Sequence, residues 1–238
     1  MELDEYLPVL EKANARFAGA AAEAVLTHGW QAPVPGCPGW RLADLVWHLC
    51  EVQHFWSWVV KTRAQDPSTY VEPVRHPDDE LLGFLAAQNA ELETVLAGAD
   101  PATRVWTWAP QQDVAFVLRR QVQEATIHTV DVEQVLGDVR PIATDVGLDG
   151  LDEWLEVIVP GVLPGGPPED AHPVVFHAVD ADVERTLFSG ARPFPIAALT
   201  GTAGDLLMAV WRRVPLEVLT VDGDGLQAAA MIGLIRME

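Results

Sequence analysis

The sequence predicts an α+β protein in which a four-helix bundle comes first and a small C-terminal α/β unit follows. Two observations carry that prediction. Through the first half of the chain, apolar residues recur at the three- and four-residue spacing of amphipathic helices. The linker "PGGPPEDAHP" then interrupts the chain, and short β-branched runs on its far side alternate with helical periodicity. Residues 1–145 are assigned to the bundle, and 146–238 to a linker helix with the α/β unit.

In the first helix, Leu3, Leu7, Leu10, Phe17, Ala21 and Ala24 form the core stripe. "PVPGCPGW" breaks the chain, and "RLADLVWHLCEVQHFWSWVVKTR" follows as a second helix, apolar around much of its circumference and so central in the bundle. The connection "QDPSTYVEPVRHPDD" ends in a proline and two acids that suit the first turn of a third helix. Leu81, Leu85, Leu92 and Leu96 give that helix its buried face. The fourth runs from Gln112 to Leu136, with Gly137 as its stop. "GLDGLDEWLEVIVPGVL" is a shorter helix ahead of the linker. Beyond it, "VVFHAV", "VERTLF" and "LEVLTV" read as strands, and "TAGDLLMAVWRRV" as a helix that a threonine can cap.

Composition narrows the function. Apolar residues at 49% and charged ones at 21% allow a substantial core and exclude a disordered chain. A formal charge of −20 repels phosphate-rich partners, and no lysine- or arginine-rich run offsets it, so nucleic acid is not an expected partner. The apolar runs are too interrupted to span a bilayer, and the N-terminus lacks the pattern of a signal peptide, so no membrane role and a cytoplasmic location are expected. Cys37 and Cys50 are too few for a disulfide framework and read as small buried hydrophobes. Trp40, Trp47, Trp56 and Trp58 read as bundle core. Oligomeric state is not encoded in any visible pattern.

"RRQVQEATIHTVDVEQVLG" places Glu124 and His128 four residues apart, on one helical face about 40° apart around the axis. Arg120 lies one turn earlier and Asp131 three residues later, so the helix carries a polar stripe. On spacing alone, such a pair is far more often an exposed i,i+4 contact than half of a metal site. His48, set among Val46, Trp47 and Leu49, is unusual for a surface position. It is either a core histidine bonded to a carbonyl or a third donor facing the fourth helix. Two imidazoles and one carboxylate leave an open coordination position, as in catalytic zinc sites. His54, six residues from His48, points off that face, and His28, His76, His172 and His177 are not assigned to the site.

"CPGWRLADLVWHL" resembles the "PGW-x-x-x-D-L-x-x-H-L" element of the mycothiol-dependent maleylpyruvate isomerase family, within the wider DinB-like metal-binding bundles. "LRRQVQEATIHTVDVEQVLG" is similar to that family's "R-x-x-x-E-x-x-x-H-x-x-D-x-E" helix, and "TGTAGDLLMAVWRRVP" to its "G-x-A-x-D-L-L-x-x-x-W-x-R-x-P" segment. The three fall in family order from Cys37 to Pro215. One departure is Gln123, where relatives often carry histidine; it is not a ligand position.

The resemblance implies a DinB-like bundle followed by a sterol-carrier-like domain that closes the site. It makes His48, Glu124 and His128 ligands of zinc or another divalent metal, with mycothiol as the thiol cosubstrate. The expected activity is thiol attack on a small electrophile, ending either in cis–trans isomerisation or in S-transfer. Asp131 is either a hydrogen-bond acceptor for His128 or a solvated helix acid. Arg120 either pairs with Glu124 or holds a substrate carboxylate. Arg213 either offers a guanidinium to the pocket or is solvated at the surface. Glu51, one turn from His48, is a further candidate for proton transfer. The competing reading is a non-catalytic metal-containing bundle that binds or senses a small ligand; carriage of an apolar ligand rests on fold analogy alone.

Overall fold

Four helices supply the first layer of structure. They are α1 (Tyr6–His28), α2 (Leu42–Thr62), α3 (Leu81–Ala97) and α4 (Val114–Leu136). Their ends follow from local chemistry. Asp44 accepts from the backbone N–H of Arg41 at 3.0 Å and so ties the start of α2. Asp113 accepts from the N–H of Phe116 at 3.0 Å and caps α4, so that helix begins two residues later than the apolar pattern indicates. Gly137 ends α4 in the left-handed region at φ 73°. In the first helix the expected stripe loses its start, because Leu3 lies in a 3-10 turn (Leu3–Glu5) and is exposed.

Leu7 is half-buried, and from Leu10 onward the stripe holds: Leu10, Phe17, Ala21 and Ala24 are fully buried. Phe17, Ala21 and Ala24 share one core with Leu42, Leu45, Val46 and Leu49 of α2 and Leu81 and Leu85 of α3. Each leucine so buried contributes about 1.5–3 kcal/mol relative to exposure. α1 packs along α4 and α2 along α3, with α2 also meeting α4. Near the end of α4, the buried Glu133 clamps α1 by accepting from Arg16 at 2.6 and 2.8 Å.

This computed structural model describes residues 1–236, and the chain divides into two compact units, Met1–Arg140 and Pro141–Glu238. The second unit opens with α5 (Thr144–Glu153), continues through a π-helical segment (Trp154–Ile158) and ends that rod in α6 (Val159–Val162). Strands β1 (Val174–Ala178), β2 (Val183–Leu187), β3 (Ala197–Gly201) and β4 (Thr220–Gly223) form a sheet in the order β2-β1-β3-β4. β1 pairs antiparallel with β2 and parallel with β3, while β4 pairs antiparallel with β3. Helix α7 (Ala203–Val210) joins β3 to the last strand, and α8 (Gly225–Gly233) follows it.

Thr202 caps α7 as the sequence indicates, accepting from the N–H of Asp205 at 3.1 Å. The strand expectations need two corrections. "LEVLTV" is mostly a 3-10 turn (Leu216–Val218), and only its end belongs to β4. β3, "AALTG", was not anticipated, because alanine and glycine carry little strand preference and only pairing in the sheet selects the extended form. Gly147 on α5 allows a close approach to α7: a Cβ there would sit 2.7 Å from backbone atoms of Ala203 and Gly204. Among the described residues, no helix is long and apolar enough to cross a membrane.

Candidate metal centre

α2 and α4 bring three expected donors together. His48 Nε2 lies 3.1 Å from Glu124 Oε1, and His128 Nε2 lies 3.1 Å from the same oxygen. The two imidazoles meet edge to face with ring centroids 4.9 Å apart. All three donor atoms lie within 4.8 Å of one another. The helical arithmetic explains the pairing on α4, since residues 124 and 128 share a face. His48 is supplied from across the bundle, flanked by the fully buried Val46 and Leu49 that fix the rotation of α2. His48 keeps 34% of its side chain exposed, so the cluster lies at the rim of the helical core rather than deep inside it.

The remaining polar stripe of α4 converges on this cluster. Arg120 donates to Glu124 Oε2 at 3.0 Å, which is the i,i+4 pairing expected of it. Asp131 has no exposed surface and lies 2.8 Å from His128 Nδ1, which excludes its reading as a solvated acid. A carboxylate in that position accepts from Nδ1–H and so turns Nε2 of His128 toward Glu124, the nitrogen that would face a bound cation. Burial opposes charge on Glu124, but the imidazole of His128, hydrogen bonds from His128 and His48, and Arg120 outweigh it and hold the carboxyl well below its ordinary range. Burial likewise disfavours the His128 cation, and the Glu124 and Asp131 carboxylates overcome it, pushing His128 well above its ordinary value. Burial raises the carboxyl of Glu51, one turn beyond His48.

The donor set fits a divalent ion. Ligands about 2.0–2.1 Å from a tetrahedral zinc are separated by about 3.3 Å from one another, close to the two 3.1 Å spacings around Glu124 Oε1. Two imidazoles and one carboxylate match a divalent cation of borderline softness.

Some functional neighbours were not legible beforehand. Trp40 lies on the loop between α1 and α2, half-buried, with its ring centroid 4.9 Å from that of His48 and 6.3 Å from that of His128. It therefore walls the cluster, whereas Trp47 and Trp56 occupy the core as expected. Cys50 is a buried hydrophobe, but Cys37 is only half-buried and donates from Sγ to Asp131 Oδ2 at 3.3 Å. Both signals were present in "CPGW"; the loop's fold was needed to read them. His54 turns away to Tyr70, whose hydroxyl is 2.7 Å from its Nδ1. Arg213 belongs to the second unit, after α7, where it donates to the carbonyl of Trp211 at 2.8 Å.

Sequence profiles of two domains match the chain. The mycothiol maleylpyruvate isomerase N-terminal domain matches residues 10–133, and the MDMPI C-terminal domain matches residues 145–230. Among solved structures, the chain is similar to a mycothiol-dependent maleylpyruvate isomerase, with a TM-score of 0.68 and 14% identity over 93% of each chain. A histidine-to-alanine mutant of the mycothiol-dependent maleylpyruvate isomerase gives a TM-score of 0.67 and 15% identity over the same shares. At such identity the likeness speaks for the fold. No curated protein matches the chain by sequence.

Proposed function

The chain belongs to the mycothiol maleylpyruvate isomerase family, and from that membership we propose that it is a metal-dependent enzyme that uses mycothiol to attack a small electrophile. The observation that carries this reading is the meeting of His48, Glu124 and His128 around one small volume, with Asp131 behind His128. Zinc, or another divalent ion, is the metal that this donor set favours.

Each residue has a distinct task in the proposal. His48 and His128 present Nε2, and Glu124 presents Oε1, as the ligands. Asp131 fixes the tautomer of His128. Arg120 neutralises the outer oxygen of Glu124 and so keeps the carboxylate from turning away. A divalent cation bound there supplies positive charge that favours a thiolate over a thiol. Trp40 covers the imidazoles with an apolar face that keeps water from that side.

Sulfur then adds to one carbon of a cis double bond next to a carbonyl, and the electron pair moves onto the conjugated system. Rotation about the new single bond, followed by departure of the same thiolate, restores the double bond in the trans form. No atom is gained or lost in that cycle, as isomerisation of maleylpyruvate to fumarylpyruvate requires. An electrophile whose adduct is protonated and released instead gives S-transfer.

The test is metal analysis of the purified protein followed by turnover assays with mycothiol and maleylpyruvate. The expected result is one divalent ion per chain and thiol-dependent formation of the trans isomer or of a thiol adduct. Full metal loading with neither product across a broad panel of electrophiles would overturn the catalytic reading.

A further inference from the structure

The loop between α1 and α2 touches the cluster at a point that the proposed function does not use. We propose that Cys37 is a positioning residue: its thiol holds the Asp131 carboxylate, and through it the His128 ring, in the orientation that metal binding needs. This rests on the metal-site reading above and assigns a role to a side chain that the reading leaves idle.

The geometry forms a relay. Cys37 Sγ donates to Asp131 Oδ2 at 3.3 Å, and the same oxygen lies 2.8 Å from His128 Nδ1. His128 Nε2 then faces Glu124 Oε1 at 3.1 Å. Cys37 Sγ, the His128 ring and the Asp131 carboxylate all come within 4.8 Å of one another. The closeness of this second group follows from its hydrogens, since a thiol and an imidazole N–H both point at one carboxylate oxygen.

Cys37 can act this way because its backbone is held on both sides. Its N–H donates to the carbonyl of Val34 at 3.1 Å, and its carbonyl accepts from Trp40 at 3.0 Å. The N–H of Val34 bonds the carbonyl of Trp40 at 3.0 Å, and Leu42 bonds Ala32 at 2.8 Å, closing the loop at its neck. Gly39, at φ 91°, supplies the left-handed turn between the two contact residues. The loop therefore fixes Cys37 and Trp40 as one rigid piece, with the thiol on Asp131 and the indole on both imidazoles. A second donor on Oδ2 holds that oxygen in place and so restrains the direction in which the His128 ring points.

The experiment compares full-length wild type with Cys37→Ala, Cys37→Ser and Asp131→Ala. Three quantities are read: zinc affinity by chelator competition, the visible spectrum of the cobalt-substituted protein, and the melting temperature of the metal-free form. Asp131→Ala is expected to weaken zinc binding by about 10- to 100-fold. Cys37→Ala is expected to weaken it less, by about 3- to 10-fold, and to shift the cobalt bands. Cys37→Ser retains a donor and is expected to recover most of both. Equal affinity and identical cobalt spectra for wild type and Cys37→Ala would overturn this proposal alone. So would equal losses in Cys37→Ala and Cys37→Ser that track a lowered metal-free melting temperature, because that is the signature of packing. A wild-type protein that takes up no divalent ion would overturn the metal-site reading and this one with it.

Discussion

Glu133 offers a direct test of how α4 is held against α1. Its carboxylate is 1% exposed and accepts from Arg16 Nε and Nη2 at 2.8 and 2.6 Å, from the Arg140 backbone N–H at 2.9 Å, and from Arg140 Nε at 2.7 Å. Removing one partner of a buried ion pair costs about 3–5 kcal/mol, since the other charge loses its compensation. Here Arg16 and Arg140 retain 24% and 56% exposure, so water recovers part of that loss. Glu133→Ala is therefore expected to destabilise the first unit by about 2–4 kcal/mol. With a mid-range urea slope of about 2 kcal/mol/M, the midpoint falls by about 1–2 M. Tryptophan fluorescence is the suitable probe, because seven of the nine tryptophans precede residue 141.

The same residue gives a pH signature. Burial alone would raise the Glu133 carboxyl above its ordinary 4.5, but Arg16 and Arg140 more than offset that and hold it lower. A carboxyl depressed in the folded state contributes stability that is complete above the unfolded value and lost as pH falls through the folded one. The stability gap between wild type and Glu133→Gln should thus be constant near neutrality and shrink below about pH 4.5. A cost under about 0.5 kcal/mol for Glu133→Ala, or a gap that does not change on acidification, would refute the argument.

Two further outcomes are expected. His48→Ala and His128→Ala should each abolish stoichiometric zinc uptake in equilibrium dialysis, whereas His54→Ala, whose ring bonds Tyr70, should leave it unchanged. Gly147→Ala should destabilise the second unit by about 1–3 kcal/mol, because its methyl meets backbone rather than a movable side chain. Limited proteolysis should show faster cleavage after residue 140 and an unaltered first unit.

The candidate site was partly legible because α4 carries its own geometry. Glu124, His128, Arg120 and Asp131 share one face of one helix, and a spacing of three or four residues fixes their neighbourhood wherever the helix packs. Apart from the family motif it completes, His48 was legible only as an anomaly among apolar neighbours. Its distance of 76 residues from Glu124 is closed by packing between α2 and α4, which periodicity does not specify. Cys37 lies still further outside local rules. Its partner Asp131 is 94 residues away, and the hydrogen bond between them depends on a loop whose turns are set by backbone bonds rather than by side-chain pattern.

The amino-acid order by itself determined the four bundle helices, the cap of α7, strands β1 and β2, and the α4 stripe, because caps, breakers and amphipathic periods act over a few residues. Tertiary structure alone decided that Ala197–Gly201 becomes an inner strand, that Asp131 is buried rather than solvated, and that Trp40 and Cys37 meet the two histidines and their carboxylate. Those outcomes are contacts between segments distant in the chain. Their free energy comes from pairing and burial that exist only once the segments have met.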